Sequence, residues 1–183
     1  VNIRKEWLSF GGEMLRTVII IALIALVIRA FIIQPFYVLG PSMQPTYSQG
    51  DYLLIDELTY HVRAPHRGEV IVLKYPRDTS KDFIKRIIGL PGETIKVADG
   101  SVYINSKKLN EPYLHNVNTD GSLELTLSDK EYFVLGDNRP VSSDSRIWGT
   151  LPRSDIVGKV LIQLWPPSNF GTQAHFKYNI SKT

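Results

Sequence analysis

The sequence predicts a mostly β protein: an antiparallel β-sheet domain, sandwich-like or barrel-like, preceded by one N-terminal transmembrane α-helix. Three observations predict it. An unbroken apolar tract of eleven residues, Val18 to Ile28, lies near the start of the 183-residue chain. After Pro35 the pattern changes to short runs rich in Val, Ile, Tyr and Phe, punctuated by Gly, Pro, Asn and Asp, which is the signature of many short strands. No heptad, internal repeat or low-complexity tract competes with that reading.

The helix comes first. About 20 mostly apolar residues carry a helix across the hydrocarbon core, and residues 17–35 supply such a span with Arg29 near its exit end. There its aliphatic stem can reach the interface. A buried core helix is the alternative, but a domain this small rarely encloses a helix that is apolar all round. A cleaved leader is the other alternative. The residues after Ile33 read Gln-Pro-Phe-Tyr-Val-Leu, with no small-x-small cleavage site. The tract therefore reads as an uncleaved signal anchor between a segment 1–16 and a β-rich domain 36–183. Arg4, Lys5 and Arg16 precede the span, whereas Gln34 to Val62 holds no Lys or Arg. The positive-inside rule then places the N-terminus in the cytoplasm and the large domain outside a single-pass plasma-membrane anchor.

The β runs follow in order: Tyr52–Glu57, Glu69–Tyr75, Phe83–Leu90, Thr94–Val97, Val102–Ile104, Tyr132–Leu135 and Ile156–Trp165. Asp99-Gly100 between two of them is a tight-hairpin signal. Residues 109–130 are polar with weak periodicity and read as an inserted hairpin or loop region. The net charge of +3 and pI of about 9.0 could suggest nucleic acid. From residue 30 onward, however, 17 basic (21 − 4) and 16 acidic (18 − 2) residues nearly cancel. No basic stripe remains for a nucleic-acid backbone. With no cysteine, disulfides and thiolate metal sites are excluded.

Three segments could carry chemistry. In Gly40-Pro41-Ser42-Met43-Gln44-Pro45-Thr46, Gly and Pro make a sharp turn that can present Ser42 at an apex. An ordinary serine-containing turn is the competing reading, and Gln44 excludes the G-x-S-x-G elbow. In Asp82 to Glu93, Lys85 and Arg86 sit side by side in an apolar strand, so one of them must face the more buried side. A desolvated lysine has a lowered pKa and can serve as a general base; an edge lysine at the surface is the competing reading. The run Gly136 to Arg146 is densely polar after a buried strand, and reads either as a solvated loop or as a network of carboxylates, guanidinia and hydroxyls.

Taken in order, these segments resemble the motif boxes of the bacterial type I signal peptidases, Ser–Lys serine proteases. An anchor is followed by Ser-Met-x-Pro-Thr, then Lys-Arg with two apolar residues and Gly-x-Pro-Gly, then Gly-Asp-Asn-Arg-x-x-Ser-x-Asp-Ser-Arg. The match runs along nearly the whole chain. The resemblance implies Ser42 as nucleophile and Lys85 as general base, with Ser142 hydrogen-bonding and orienting the lysine. It implies structural ion pairs among Arg86, Asp137, Asp144 and Arg146, and a turn shaped by Met43 and Pro45. Some relatives carry, two residues before the nucleophile, a serine that donates to the oxyanion; here that position is Gly40, so backbone N–H groups must fill the role. The implied activity is removal of signal peptides from exported preproteins, cutting after small residues at the lipid bilayer. Association with the export machinery goes with it, without cofactor or metal.

A Ser–His–Asp hydrolase is the rival enzyme, with His61, His66, His115 and His175 as its candidates, none within a recognisable motif. A metalloenzyme lacks a His-Glu-x-x-His helix. A membrane-tethered binding module is the rival outside enzymes. What separates these readings is whether Ser42 and Lys85 reach one cleft.

Overall fold

The β runs pair into two antiparallel sheets. The computed structural model describes residues 11–23, 33–114, 117–172 and 178. Helix α1 (11–23) is exposed along its described length. No helix among the described residues is long and apolar enough to cross a membrane, and residues 24–32 of the expected span lie outside the described residues. Residues 33–35, assigned from the sequence to the end of that span, are instead in strand β1 (Ile33–Tyr37). The reason is Pro35, which has no N–H to continue a helix but is tolerated on an edge strand.

The larger sheet also contains β2 (Tyr52–Asp56), β3 (Val70–Tyr75), β4 (Asp78–Gly89), β9 (Glu131–Leu135), β10 (Leu151–Pro152) and β11 (Ile156–Trp165). Its order is β1-β2-β11-β3-β4-β9-β10. The smaller sheet has β5 (Thr94–Ala98), β6 (Ser101–Ile104), β7 (Lys107–Lys108) and β8 (Leu123–Thr126), in the order β7-β6-β5-β8. Thus the 109–130 stretch provides the β8 edge of that sheet. Two short helices, α2 (Thr59–Val62) and α3 (Ser145–Trp148), connect strands.

The β5–β6 hairpin turns at Asp99 (φ 51°) and Gly100 (φ 70°), with Ala98 opposite Ser101. Two consecutive positive φ values are what a two-residue turn matched to the strand twist requires, and Asp-Gly supplies them cheaply. Strand β4 starts five residues before its apolar run does. Residues 78–82 pair with the end of β3 as an exposed ribbon, where no buried face imposes an apolar period.

The core explains the order of the larger sheet. Central strand β3 is buried on both faces. Ile71 and Leu73 join Ile87, Val134, Leu151 and Ile156 on one side, while Val70 and Val72 join Met43, Tyr47, Leu53, Ile55 and Ile84 on the other. A third cluster clamps Ile88, Phe133 and Leu135 against Ile95, Val97, Val102 and Ile104, seating the smaller sheet on β4 and β9. Burial of this kind contributes roughly 1.5–3 kcal/mol per large side chain.

Strands β2 and β11 pack so closely that a Cβ on Gly158 would lie 2.6 Å from the Asp56 carbonyl oxygen. Backbone cannot yield as a flexible side chain can. Gly158→Ala is therefore expected to destabilise the domain by about 1–3 kcal/mol, read as a lowered midpoint in thermal unfolding. A wild-type midpoint would contradict this packing.

Candidate active site

Ser42 stands on a turn fastened at both ends. Val38 N–H donates to Asp51 O (2.9 Å) and Gly50 N–H to Val38 O (3.0 Å), closing the loop back on itself. Within it Gln44 N–H donates to Pro41 O (3.1 Å) and Tyr47 N–H to Met43 O (2.9 Å). Gly40 has φ +83°, a conformation glycine adopts without steric cost. Met43 is fully buried in the Leu53–Ile55 cluster and anchors the turn, while the adjacent Ser42 is half-buried at a cleft.

Lys85 meets Ser42 from β4. Its Nζ donates to Ser42 Oγ at 2.9 Å and to the Ile84 carbonyl at 2.8 Å, and lies 5.2 Å from the Phe83 ring centroid. Strand alternation makes neighbours 85 and 86 point oppositely, and the structure buries both, at 3% and 2% exposure. The expected choice between them does not arise, because β4 is covered on both faces here. Burial lowers the Lys85 pKa to about 8, against the opposing charges of Asp144 and Asp137.

Arg86 holds Asp137 in a two-pronged pair, Nε to Oδ1 at 2.8 Å and Nη2 to Oδ2 at 2.6 Å. Burial by itself would lower the Arg86 pKa, but the Asp137 hydrogen bonds and charge raise it above its usual value. Asp137 also accepts from Thr46 Oγ1 at 2.5 Å, tying the pair to the Ser42 turn. Arg146 and Asp144 form a second fork, at 2.8 and 2.9 Å, and Asp144 Oδ2 accepts from Gly136 N–H at 3.1 Å. Asn138 N–H donates to Ser42 O at 3.0 Å and its side chain to Pro41 O at 3.1 Å.

Ser142 departs from expectation. It is buried, but its Oγ has no hydrogen-bond partner among the described residues, and Lys85 donates to Ser42 and Ile84 instead. Ser142 nonetheless lies at the site. A Cβ on Gly136 would fall 2.1 Å from Ser142 Oγ and 2.5 Å from Ser42 O, so only glycine lets these segments meet. His61 and His66 are exposed and neither lines the Ser42–Lys85 cleft. His115 and His175 lie outside the described residues.

Sequence reasoning missed Arg139, which is 1% exposed and paired with Glu111 (Nη2 to Oε1, 2.5 Å). One signal was available: an arginine within the third box has to find a carboxylate if that box is buried. Its partner could not be foreseen, because Glu111 lies in the polar insert.

The cleft beside Ser42 and Lys85 has a volume of about 430 Å³ and runs between residues 36–39 and 82–85. With this geometry in view, the family model described as signal peptidase, peptidase S26, matches residues 11–165. The probable signal peptidase I-2 of Synechocystis sp. is 38% identical over 173 residues, covering 91% of this chain and 77% of that one. The probable signal peptidase I-1 of the same organism is 34% identical, covering 99% and 95% respectively. The chain belongs to the type I signal peptidases. The signal peptidase I U of Bacillus subtilis, 36% identical, covers 82% of this peptidase and is itself 85% covered.

In this peptidase the Arg86–Asp137 fork is fully buried, so removing one partner strands the other. Asp137→Ala is expected to lower stability by about 3–5 kcal/mol. A urea midpoint equal to that of the wild type would show that the pair carries no such weight.

Proposed function

We propose that this enzyme removes signal peptides from exported preproteins by acyl transfer, with Ser42 as nucleophile and Lys85 as general base. The observation that carries the reading is the 2.9 Å contact between Lys85 Nζ and Ser42 Oγ, made by a lysine whose burial brings its pKa to about 8. A neutral amine at that distance can accept the Ser42 proton as Oγ attacks the scissile carbonyl. The resulting ammonium protonates the leaving amine, and the neutral amine then activates the water that hydrolyses the acyl-enzyme. The oxyanion is held by backbone, chiefly the Ser42 N–H, which has no acceptor among the described residues.

The substrate enters as a strand. Among the described residues, strand β4 pairs with β3 across residues 82–86 but with β9 only from Arg86 onward, and β1 pairs only with β2. Two unpaired backbone edges therefore face the cleft, where an extended peptide can bond to both. Between Phe36, Val38, Ile84 and Val141 the walls are apolar, which favours small side chains before the cut.

The tract around Val18–Ile28 serves as a single-pass anchor with a cytoplasmic N-terminus, holding catalysis at the outer face of the plasma membrane near the export machinery. Tyr37, Tyr52 and Trp165 support this placement. They lie in register across three adjacent strands and are 45%, 48% and 55% exposed. Aromatic rings of that kind suit the bilayer interface.

Ser42→Ala and Lys85→Ala are each expected to abolish cleavage of a purified preprotein while the circular dichroism spectrum is unchanged; full activity in either would sink the dyad. Because a pKa lowered to about 8 leaves Lys85 charged at lower pH, kcat/KM should rise about tenfold per unit up to that value and then level off. A flat profile from pH 6 to 9 would exclude a lysine base. An alkaline phosphatase fused after Thr183 should be active only if the domain is exported, and an inactive fusion would reverse the topology.

A further inference from the structure

The structure assigns Glu111 and Tyr113, in the polar insert, as positioning residues that brace the two arginines beside the Ser42–Lys85 pair. This inference rests on the dyad reading above and adds to it a role for a part of the chain outside the three motif segments.

Glu111 and Tyr113 flank Pro112 at a short 3₁₀ turn, with Tyr113 buried. The Tyr113 hydroxyl donates to Glu111 Oε1 at 2.6 Å, and Arg139 Nη2 reaches both, at 2.5 Å to Glu111 Oε1 and 3.3 Å to the Tyr113 oxygen. Arg139 also donates from Nη1 to Glu111 Oε2 at 3.1 Å and to Thr119 Oγ1. The carboxylate thus grips the far end of a guanidinium whose near end works elsewhere. Arg139 Nε donates to the Gly136 carbonyl at 3.0 Å.

That carbonyl begins the stretch that touches the nucleophile. Gly136 is wedged between Ser142 and the Ser42 carbonyl, and Asn138 N–H holds Ser42 O. On its other side the Tyr113 ring supports Arg86, whose guanidinium carbon lies 4.3 Å from the ring centroid. Arg86 follows Lys85 in β4 and grips Asp137. One turn of the insert therefore touches the arginine next to the base and the arginine that pins the strand end holding the nucleophile. Neither Glu111 nor Tyr113 lines the cleft, so each acts through an arginine.

The consequence is positional. Releasing residues 136–139 lets the Ser42 turn shift against Lys85, and a misplacement near 1 Å can cost about a hundredfold in rate. It also admits water to an amine whose lowered pKa comes first from burial.

The test compares Glu111→Gln, Glu111→Asp, Tyr113→Phe and the double replacement Glu111→Leu with Arg139→Met, all in the full chain with a preprotein substrate. The double variant removes both charges together, so it can fold without a stranded ion. Active-site titration corrects kcat for the folded fraction. The expected result is a fall in kcat of about 10–100-fold in Glu111→Gln and in the double variant, with KM little changed. The rising limb of the pH profile should move to higher pH, with partial recovery in Glu111→Asp and a smaller loss in Tyr113→Phe. Wild-type kcat per active site with an unshifted pH profile in either folded variant would overturn the assignment. So would a loss explained wholly by a smaller folded fraction. Ser42→Ala serves as control: if it stays active the dyad reading fails, whereas if it is inactive while the Glu111 variants behave as wild type, only the present inference fails.

Discussion

Much of this molecule hangs on the buried fork between Arg86 and Asp137. The guanidinium comes from β4, next to Lys85, and the carboxylate from the chain that follows β9. The same carboxylate takes the Thr46 hydroxyl at the base of the Ser42 turn. Three segments far apart in sequence are thereby held at one point. A two-pronged geometry fixes orientation as well as distance, which a single-point lysine contact would not. Its removal from water is costly, and further hydrogen bonds from Arg86 to Gly68 O and Thr46 offset part of that cost.

The surrounding charges follow one rule. Of the buried cations among the described residues, Arg86 and Arg139 each have a carboxylate, Asp137 and Glu111 respectively. Lys85 has none within ion-pair distance and donates only to a hydroxyl and a carbonyl. An unpaired ammonium in the interior is penalised more than a neutral amine. Asp137 and Asp144 temper that penalty from a distance, leaving a pKa about where a general base works best near neutral pH. Arg86 holds Asp137 and Arg146 holds Asp144, so both of those carboxylates are occupied and kept away from the lysine.

Seven apolar runs were legible in the sequence because each has at least one buried face that enforces an apolar period. The same physics hid the rest. Residues 78–82 are strand without a buried face, and β7 and β10 are two-residue pairings too short to show any period. Strand β8 reads Leu-Glu-Leu-Thr inside a polar stretch, and is a strand because β5 offers it an edge. At the site, the residue types and their order along the chain were readable, as was the missing hydroxyl at Gly40. The Glu111–Arg139 pair was not, since 28 residues separate its members and no local pattern links them.

The sequence by itself determined the alternation of short strands and turns, the apolar tract at the N-terminus, and the segments that carry Ser42, Lys85 and Asp137. These are local matters of side-chain size, polarity and backbone freedom. Only the tertiary structure decided that Lys85 and Arg86 are both buried, that one meets Ser42 at 2.9 Å while the other meets Asp137, and that the buried Ser142 hydroxyl has no partner among the described residues. The reason is that burial and hydrogen bonding depend on what covers a strand from both faces, and the partners that meet Lys85 and Arg86 there lie 43 and 51 positions away along the chain.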